Sequence, residues 1–240
     1  MTTIDPNLMR DVAMRMRAMI GPLKGHKIYF VHIPKNAGTT VMRTLLNHAH
    51  GVCSHATAAQ VNSIEWYADY DNFVFCRDPI DRFVSIYLWR LRKDELVQRL
   101  SMEELIELLE DSNINQPLPV WGFENDKSKL DRMFNRQVAW TNDKTVFVGR
   151  TEQTMQDVHF LIKKYNLFTD VPKETNQLVR NLNIRHNEAK LEGPQAFTTK
   201  IKLLNVLKDS KTLCNRFFDY YIKDYQEFGY NIPKELSQCM

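Results

Sequence analysis

The feature that most constrains the fold is a short apolar run, Lys27-Ile28-Tyr29-Phe30-Val31-His32-Ile33, stopped by Pro34 and followed by a polar loop and an amphipathic stretch. The run is short and rich in β-formers, which predicts a buried strand of the kind found in parallel sheets. Pro34 has no N–H to continue the ladder. Lys35-Asn36-Ala37-Gly38 then leads to Thr39, and Val41, Leu45, Leu46 and Ala49 mark the apolar face of a helix. The same succession recurs. Asn72–Cys76 reads as a strand, Arg77-Asp78 as a turn, and Pro79 as the first residue of a helix whose apolar face is Phe83, Ile86, Tyr87 and Leu91. A third strand is predicted at Thr145–Val148, followed by Gly149-Arg150-Thr151-Glu152 and a helix to about Tyr165. Strands alternating with helices imply an α/β fold with a central, mostly parallel sheet flanked by helices.

The remaining segments fill in the frame. Leu8, Val12, Met16 and Met19 predict an amphipathic helix over 7–20, and Ser101-x-x-Glu104 is a capping box opening a helix over 102–110. Residues 111–125 read as loop, and the last seventy residues as mainly helical with a polar connection near 170–195. No repeat, low-complexity stretch or clean boundary divides the chain, so a single domain over 1–240 is expected. The eight glycines are roughly half the usual share, and all fall in predicted loops or element ends.

Charge and cysteine content narrow the class. A net charge of +3 is too small for a general nucleic-acid or membrane-surface binder. It is uneven, however: residues 10–48 carry seven Lys or Arg against Asp11 alone, so an anionic ligand in this third is plausible. Cys53, Cys76, Cys214 and Cys239 have neither zinc-site nor disulfide-framework spacing, which predicts a reducing compartment. Charges break every apolar run near the N-terminus before it reaches membrane-span length, so the expectation is a cytoplasmic protein with no membrane span.

Two segments carry chemistry. Strand, then His32-Ile33-Pro34-Lys35-Asn36-Ala37-Gly38-Thr39-Thr40, then helix, is an anion cradle: a helix N-terminus offers unpaired N–H groups and a positive dipole end. Gly38 allows close approach of backbone, Thr39 and Thr40 add hydroxyls, and Lys35 adds a mobile cation. The plain alternative is a Thr-capped turn. In Arg77-Asp78-Pro79-Ile80-Asp81-Arg82-Phe83-Val84-Ser85, Arg77 sits at a strand's C-terminal end, where open α/β sheets bind ligands. An Arg fork with the Ser85 hydroxyl can clamp a phosphate. Arg82 is expected to pair with Asp78 or Asp81 or to lie in solvent.

In this order the two segments, P-K-x-x-G-T-T and R-D-P-x-x-R-x-x-S, resemble the cofactor signature of sulfotransferases that use 3′-phosphoadenosine-5′-phosphosulfate (PAPS). The Arg-Asp-Pro form and His-Ile-Pro-Lys loop are most similar to the carbohydrate-type, family 2 branch. The similarity is concentrated in residues 27–92, with weaker likeness at 145–165 and at Tyr221, Asp224, Phe228, Gly229 and Tyr230. It implies a P-loop-like three-layer fold with a helix-rich C-terminal part. It also implies PAPS as donor, no metal, and a hydroxyl acceptor on a carbohydrate or small molecule. By position, Lys35, Asn36, Ala37, Gly38, Thr39 and Thr40 would hold the 5′-phosphosulfate, and Arg77 with Ser85 the 3′-phosphate. Arg150 and Thr151 either reach the nucleotide or form a simple turn.

Sulfuryl transfer needs a base for the acceptor proton and a cation on the leaving side. Lys35 is the expected cation. His55, between the first helix and the second strand, stands where the family usually places its catalytic histidine; His50, Glu65 or another carboxylate are the alternatives. His32 reads as structural or as a lining residue. Arg185 and His186 could close over the cofactor. Trp89, Arg90, Arg92, Trp121 and Trp140 could meet a glycan or simply form core. Two other classes compete: a P-loop nucleotide kinase or hydrolase, against which the missing G-x-x-x-x-G-K-[ST] string counts, and a non-catalytic nucleotide-binding relative.

Overall fold

The structure is a computed structural model that describes residues 22, 23, 25–45, 55–92, 100–110, 132–167 and 193–239. In chain order its elements are β1 (Ile28–Val31), α1 (Gly38–Leu45), α2 (Ala58–Asn62), β2 (Asp71–Cys76), α3 (Pro79–Leu91), α4 (Met102–Glu107), β3 (Thr145–Arg150), α5 (Thr154–Lys164), α6 over 193–209, and α7 (Lys211–Phe228). The predicted helix over 7–20, the loop over 111–125 and most of the 170–195 connection lie outside the described residues, as do His48, His50, Trp121, Arg185 and His186.

The chain divides into two compact units, residues 1–75 with 140–183 and residues 76–139 with 184–240. The first is the α/β unit. Its three strands lie in the order β1-β2-β3, with β1 parallel to β2 in a register pairing Ile28 with Asp71 and Val31 with Val74. Every residue of β1 is buried, as its unbroken apolar run requires, whereas β3 alternates and leaves Val146 and Val148 exposed at the edge of the sheet. Phe30, Phe73, Phe75, Met42 and Val158 join β1, β2, α1 and α5 in one apolar core, with α5 packed on both β3 and α1.

Two boundaries differ from expectation. β1 ends at Val31, so His32 and Ile33 belong to the loop; β3 runs on to Arg150, which puts Gly149 inside a strand. The second has a steric cause. A Cβ on Gly149 would lie 2.6 Å from the Phe75 ring of β2, so the strand continues only because the residue has none.

The second unit is helical. Phe217, Tyr221 and Tyr225 of α7 pack with Phe83 of α3, Leu105 of α4 and Leu207 of α6. α7 starts at a Ser210 cap and stops at Gly229, whose left-handed φ of 63° is the usual helix terminator. Pro79 opens α3 behind the Asp78 cap and Ser101–Glu104 caps α4 reciprocally, both as the sequence predicts. The cysteines differ from expectation: Cys76 is a buried thiol outside any disulfide, but Cys214 is disulfide-bonded. Spacing along the chain does not reveal which cysteines meet in space.

Candidate functional site

In the α/β unit the loop from His32 to Ala37 leaves β1 and enters α1 under visible strain. Lys35 and Ala37 adopt left-handed backbone with φ of 67° and 56°. For residues with a Cβ this costs on the order of 1 kcal/mol each. Such residues alternating with ordinary ones turn successive N–H groups toward one concave side, the geometry of an anion nest. The fold holds the bend by a buried side chain: Asn36 Nδ2 donates to Phe75 O of β2 at 2.8 Å. Helix α1 starts at Gly38 with no acidic residue in its first turn, and Val41 N–H donates back to Ala37 O at 3.0 Å. The first N–H groups of the helix have no intrahelical acceptor. Lys35, Thr39 and Thr40 are partly exposed.

Gly38 does something the sequence does not reveal. A Cβ there would fall 1.8 Å from His32 Nε2, so the space left by the missing side chain is filled by the His32 imidazole. That ring stacks on Phe30 at 5.7 Å and meets the His55 ring edge-on at 4.5 Å. His32 Nδ1 is buried without a hydrogen-bond partner. Burial, followed by the neighbouring His55 and Lys35 charges, holds the His32 pKa well below the ordinary histidine value. His32 is therefore a neutral wedge between the loop and His55.

His55 is held at its ring and at its backbone. Its ring lies against His32, its carbonyl accepts from Trp140 Nε1 at 3.0 Å, and two residues on Thr57 caps α2 in a reciprocal box with Gln60. Trp140 is wholly buried, so among the proposed glycan platforms it is core. Glu65, the other described candidate base, is exposed on the turn Glu65–Tyr67. Arg150 closes β3 with its N–H donating to Asp157 Oδ2 at 2.6 Å, and the Thr151 hydroxyl is buried with no partner. A buried hydroxyl of that kind is rare unless something binds it. The α/β unit thus brings Lys35, Asn36, Ala37, Gly38, His32 and His55 together around the start of α1.

In the helical unit Arg77 follows β2 directly and Ser85 lies on α3, both partly exposed. Arg82 contradicts its sequence reading. It is not in solvent but buried, donating to Met133 O at 2.6 Å and Asn135 O at 2.8 Å. The second turn of α3 faces the core, so a long guanidinium there finds the carbonyls of the turn at Arg132–Phe134. Tyr221 Oη donates to Phe134 O in the same segment at 2.7 Å. Asp81 instead pairs with Lys200 at 2.6 Å. Arg90 is buried with its guanidinium over the Trp89 ring at 4.9 Å, while Arg92 is exposed and caps α3 by donating to Leu88 O.

Sequence reasoning missed Gln137. This buried amide on the turn Gln137–Trp140 bonds the Arg77 backbone twice and is held by buried Asp224 of α7. Nothing in the local sequence marks it.

A parallel α/β sheet with a strained, cation-bearing loop at a helix N-terminus defines a class, the proteins that hold phosphate-like anions at the carboxyl ends of strands. The comparison with known families specifies it. The model described as "Sulfotransferase family" matches residues 23–231, so the chain belongs to the sulfotransferase family, whose members transfer sulfuryl groups. No curated protein and no solved structure matches it.

Proposed function

We propose that this protein moves a sulfuryl group from PAPS to a hydroxyl of a carbohydrate or small-molecule acceptor, with His55 as base. The observation that carries this reading is the cluster in the α/β unit, where a left-handed, lysine-bearing loop and a histidine held at ring and backbone meet at one helix N-terminus. The residues fit the donor. The nest of N–H groups, the Thr39 and Thr40 hydroxyls and Lys35 suit the 5′-phosphosulfate, Arg77 with Ser85 the 3′-phosphate, and the unpartnered Thr151 hydroxyl with Arg150 a further part of the nucleotide.

PAPS supplies an activated sulfuryl group whose departure leaves a second negative charge on the 5′-phosphate. Lys35 and the α1 N-terminus offset that charge as the sulfur–oxygen bond to phosphate breaks. His55 takes the acceptor's proton while its oxygen forms the new bond to sulfur. His32, held neutral by burial, adds no second positive charge beside the base. Asn36 keeps the loop in register with β2.

A direct test is thermal stabilisation by 3′-phosphoadenosine-5′-phosphate against adenosine-5′-phosphate, followed by PAPS turnover with a panel of hydroxyl acceptors. The reading expects stabilisation by the first that is larger than by the second, and turnover lost in Lys35→Ala and His55→Ala. Equal stabilisation by both nucleotides, or unchanged turnover in His55→Ala, refutes the corresponding assignment. Mg²⁺-dependent nucleotide hydrolysis would favour the kinase or hydrolase class instead.

Location belongs to the same reading. No helix among the described residues is long and apolar enough to cross a membrane. The proposed location is the cytoplasm, and the bonded Cys214 is the observation that counts against it, because reducing compartments keep thiols free. Thiol labelling of Cys214 in freshly lysed cells decides it: a labelled Cys214 supports the cytoplasm and a blocked one refutes it.

A further inference from the structure

The geometry points to Gln137 as a positioning residue for Arg77, its side-chain amide fixing the backbone from which the proposed 3′-phosphate ligand projects. The inference rests on the role given to Arg77 above.

Gln137 Oε1 accepts from Arg77 N–H at 2.9 Å and Gln137 Nε2 donates to Arg77 O at 2.8 Å. One side chain thereby makes the pair of bonds that a neighbouring strand would make, at the residue where β2 ends. The amide cannot flip, because its nitrogen faces two oxygens, Arg77 O and Asp224 Oδ2 at 3.3 Å, and a flip would set oxygen against oxygen. Asp224 is itself buried and bonded. Its carboxylate accepts from Gln137 N–H at 2.8 Å and Val138 N–H at 3.0 Å, and Arg82 contributes a favourable charge. Gln137, Asp224 and Arg82 are all buried.

Burying a carboxylate, an amide and a guanidinium is costly when any of them is left unpaired, and an apolar cluster of like volume would serve stability as well or better. The polar chain ends at the backbone of Arg77, which is only partly buried. A long, rotatable side chain binds a phosphate more tightly when its root is already fixed, since less freedom remains to be lost on binding. Gln137 reads only the backbone of residue 77; its effect is on where the guanidinium starts, not on its charge.

The test measures affinities for 3′-phosphoadenosine-5′-phosphate and adenosine-5′-phosphate, which differ in the 3′-phosphate alone, in wild type, Gln137→Ala, Gln137→Met, Arg77→Ala and the Arg77→Ala/Gln137→Ala double variant. Gln137→Ala should weaken the bisphosphate by about tenfold, the worth of roughly one net hydrogen bond. It should leave the monophosphate within about twofold, and should add nothing in the Arg77→Ala background. Gln137→Met keeps the length of the side chain and fills its space without adding a buried charge but loses both bonds to Arg77, so it should show the same selective loss if the alanine variant does not fold. Leu236→Ala, a buried apolar truncation in the same unit, controls for general destabilisation and should lower the melting temperature without changing the ratio of the two affinities. Unchanged preference in the Gln137 variants, or equal weakening of both nucleotides, overturns the inference while leaving Arg77 as the ligand. A wild-type protein with no preference for the bisphosphate, or one whose preference survives Arg77→Ala, overturns the Arg77 assignment and this inference with it.

Discussion

The loop after β1 and the loop after β2 both follow a buried strand and both open a helix, yet they are held by opposite means. The first bends its own backbone: Lys35 and Ala37 take left-handed dihedrals, and the His32 ring is wedged where Gly38 has no side chain. The second has no such residue. Arg77 and Asp78 keep ordinary negative φ and are fastened from outside, by the Gln137 amide on Arg77 and by the Asp78 cap on Asp81 N–H. The difference follows from what each loop offers. Where the backbone N–H groups are themselves the anion ligands, the chain must curl to aim them, and strain is the consequence. Where a side chain is the ligand, the backbone can stay relaxed but must be rooted.

Charge placement gives the widest separation between the two loops. Lys35→Ala should lower turnover by about 10²-fold or more, the usual loss when one preorganised transition-state donor is removed. Arg77→Ala should act mainly through the KM for PAPS. Steady-state kinetics on both variants checks this; equal falls in kcat would erase the functional distinction. Next in size is the wedge. Gly38→Ala should destabilise the protein by about 1–3 kcal/mol, the common cost of overpacking, because the new methyl group meets His32 Nε2 at 1.8 Å. Combining it with His32→Ala should recover most of that loss. Additive effects in chemical denaturation would show that the ring is free to move aside.

Much of this arrangement was legible in the sequence because it is local. The unbroken apolar runs of β1 and β2, Pro79 at the head of α3 and the Ser101–Glu104 box each depend on neighbours within a turn or two, and each is found where expected. So is the βα loop that carries Lys35. What stayed hidden depends on residues distant in sequence. Gln137 lies 60 positions from Arg77, and Asp224 a further 87. For Arg82 the sequence offers only the nearby acids or solvent, whereas the side chain is buried and bonded to carbonyls more than 50 residues away. At Gly38 the sequence implies a close approach but not that the approaching group is the protein's own His32.

The His32 wedge also has a pH dependence with a definite sign. A histidine whose folded pKa is depressed binds its proton more readily in the unfolded chain. Its contribution to stability is present above the unfolded value near 6.5 and is lost as pH falls below it, by at most about 1.4 kcal/mol per pH unit. Unfolding free energy measured from pH 7.5 to 5.5 should therefore fall more steeply in wild type than in His32→Gln. Parallel slopes would mean that the ring is not buried in its neutral form.

The smallest effect separates the loops by sign. An alanine held at φ 56° costs on the order of 1 kcal/mol, which glycine avoids while giving back part of that gain in unfolded-chain entropy. Ala37→Gly should therefore stabilise the fold slightly, by less than about 1 kcal/mol. Asp78→Gly, in the relaxed loop, should destabilise it by a few tenths through the loss of its cap on Asp81 N–H. The function should move the other way in the first loop. A glycine at 37 lets the N–H groups wander, so nucleotide affinity should fall even as the melting temperature rises. If Ala37→Gly lowers the melting temperature as Asp78→Gly does, the first loop stores no strain, and its curl must be fixed by external bonds like those on Arg77.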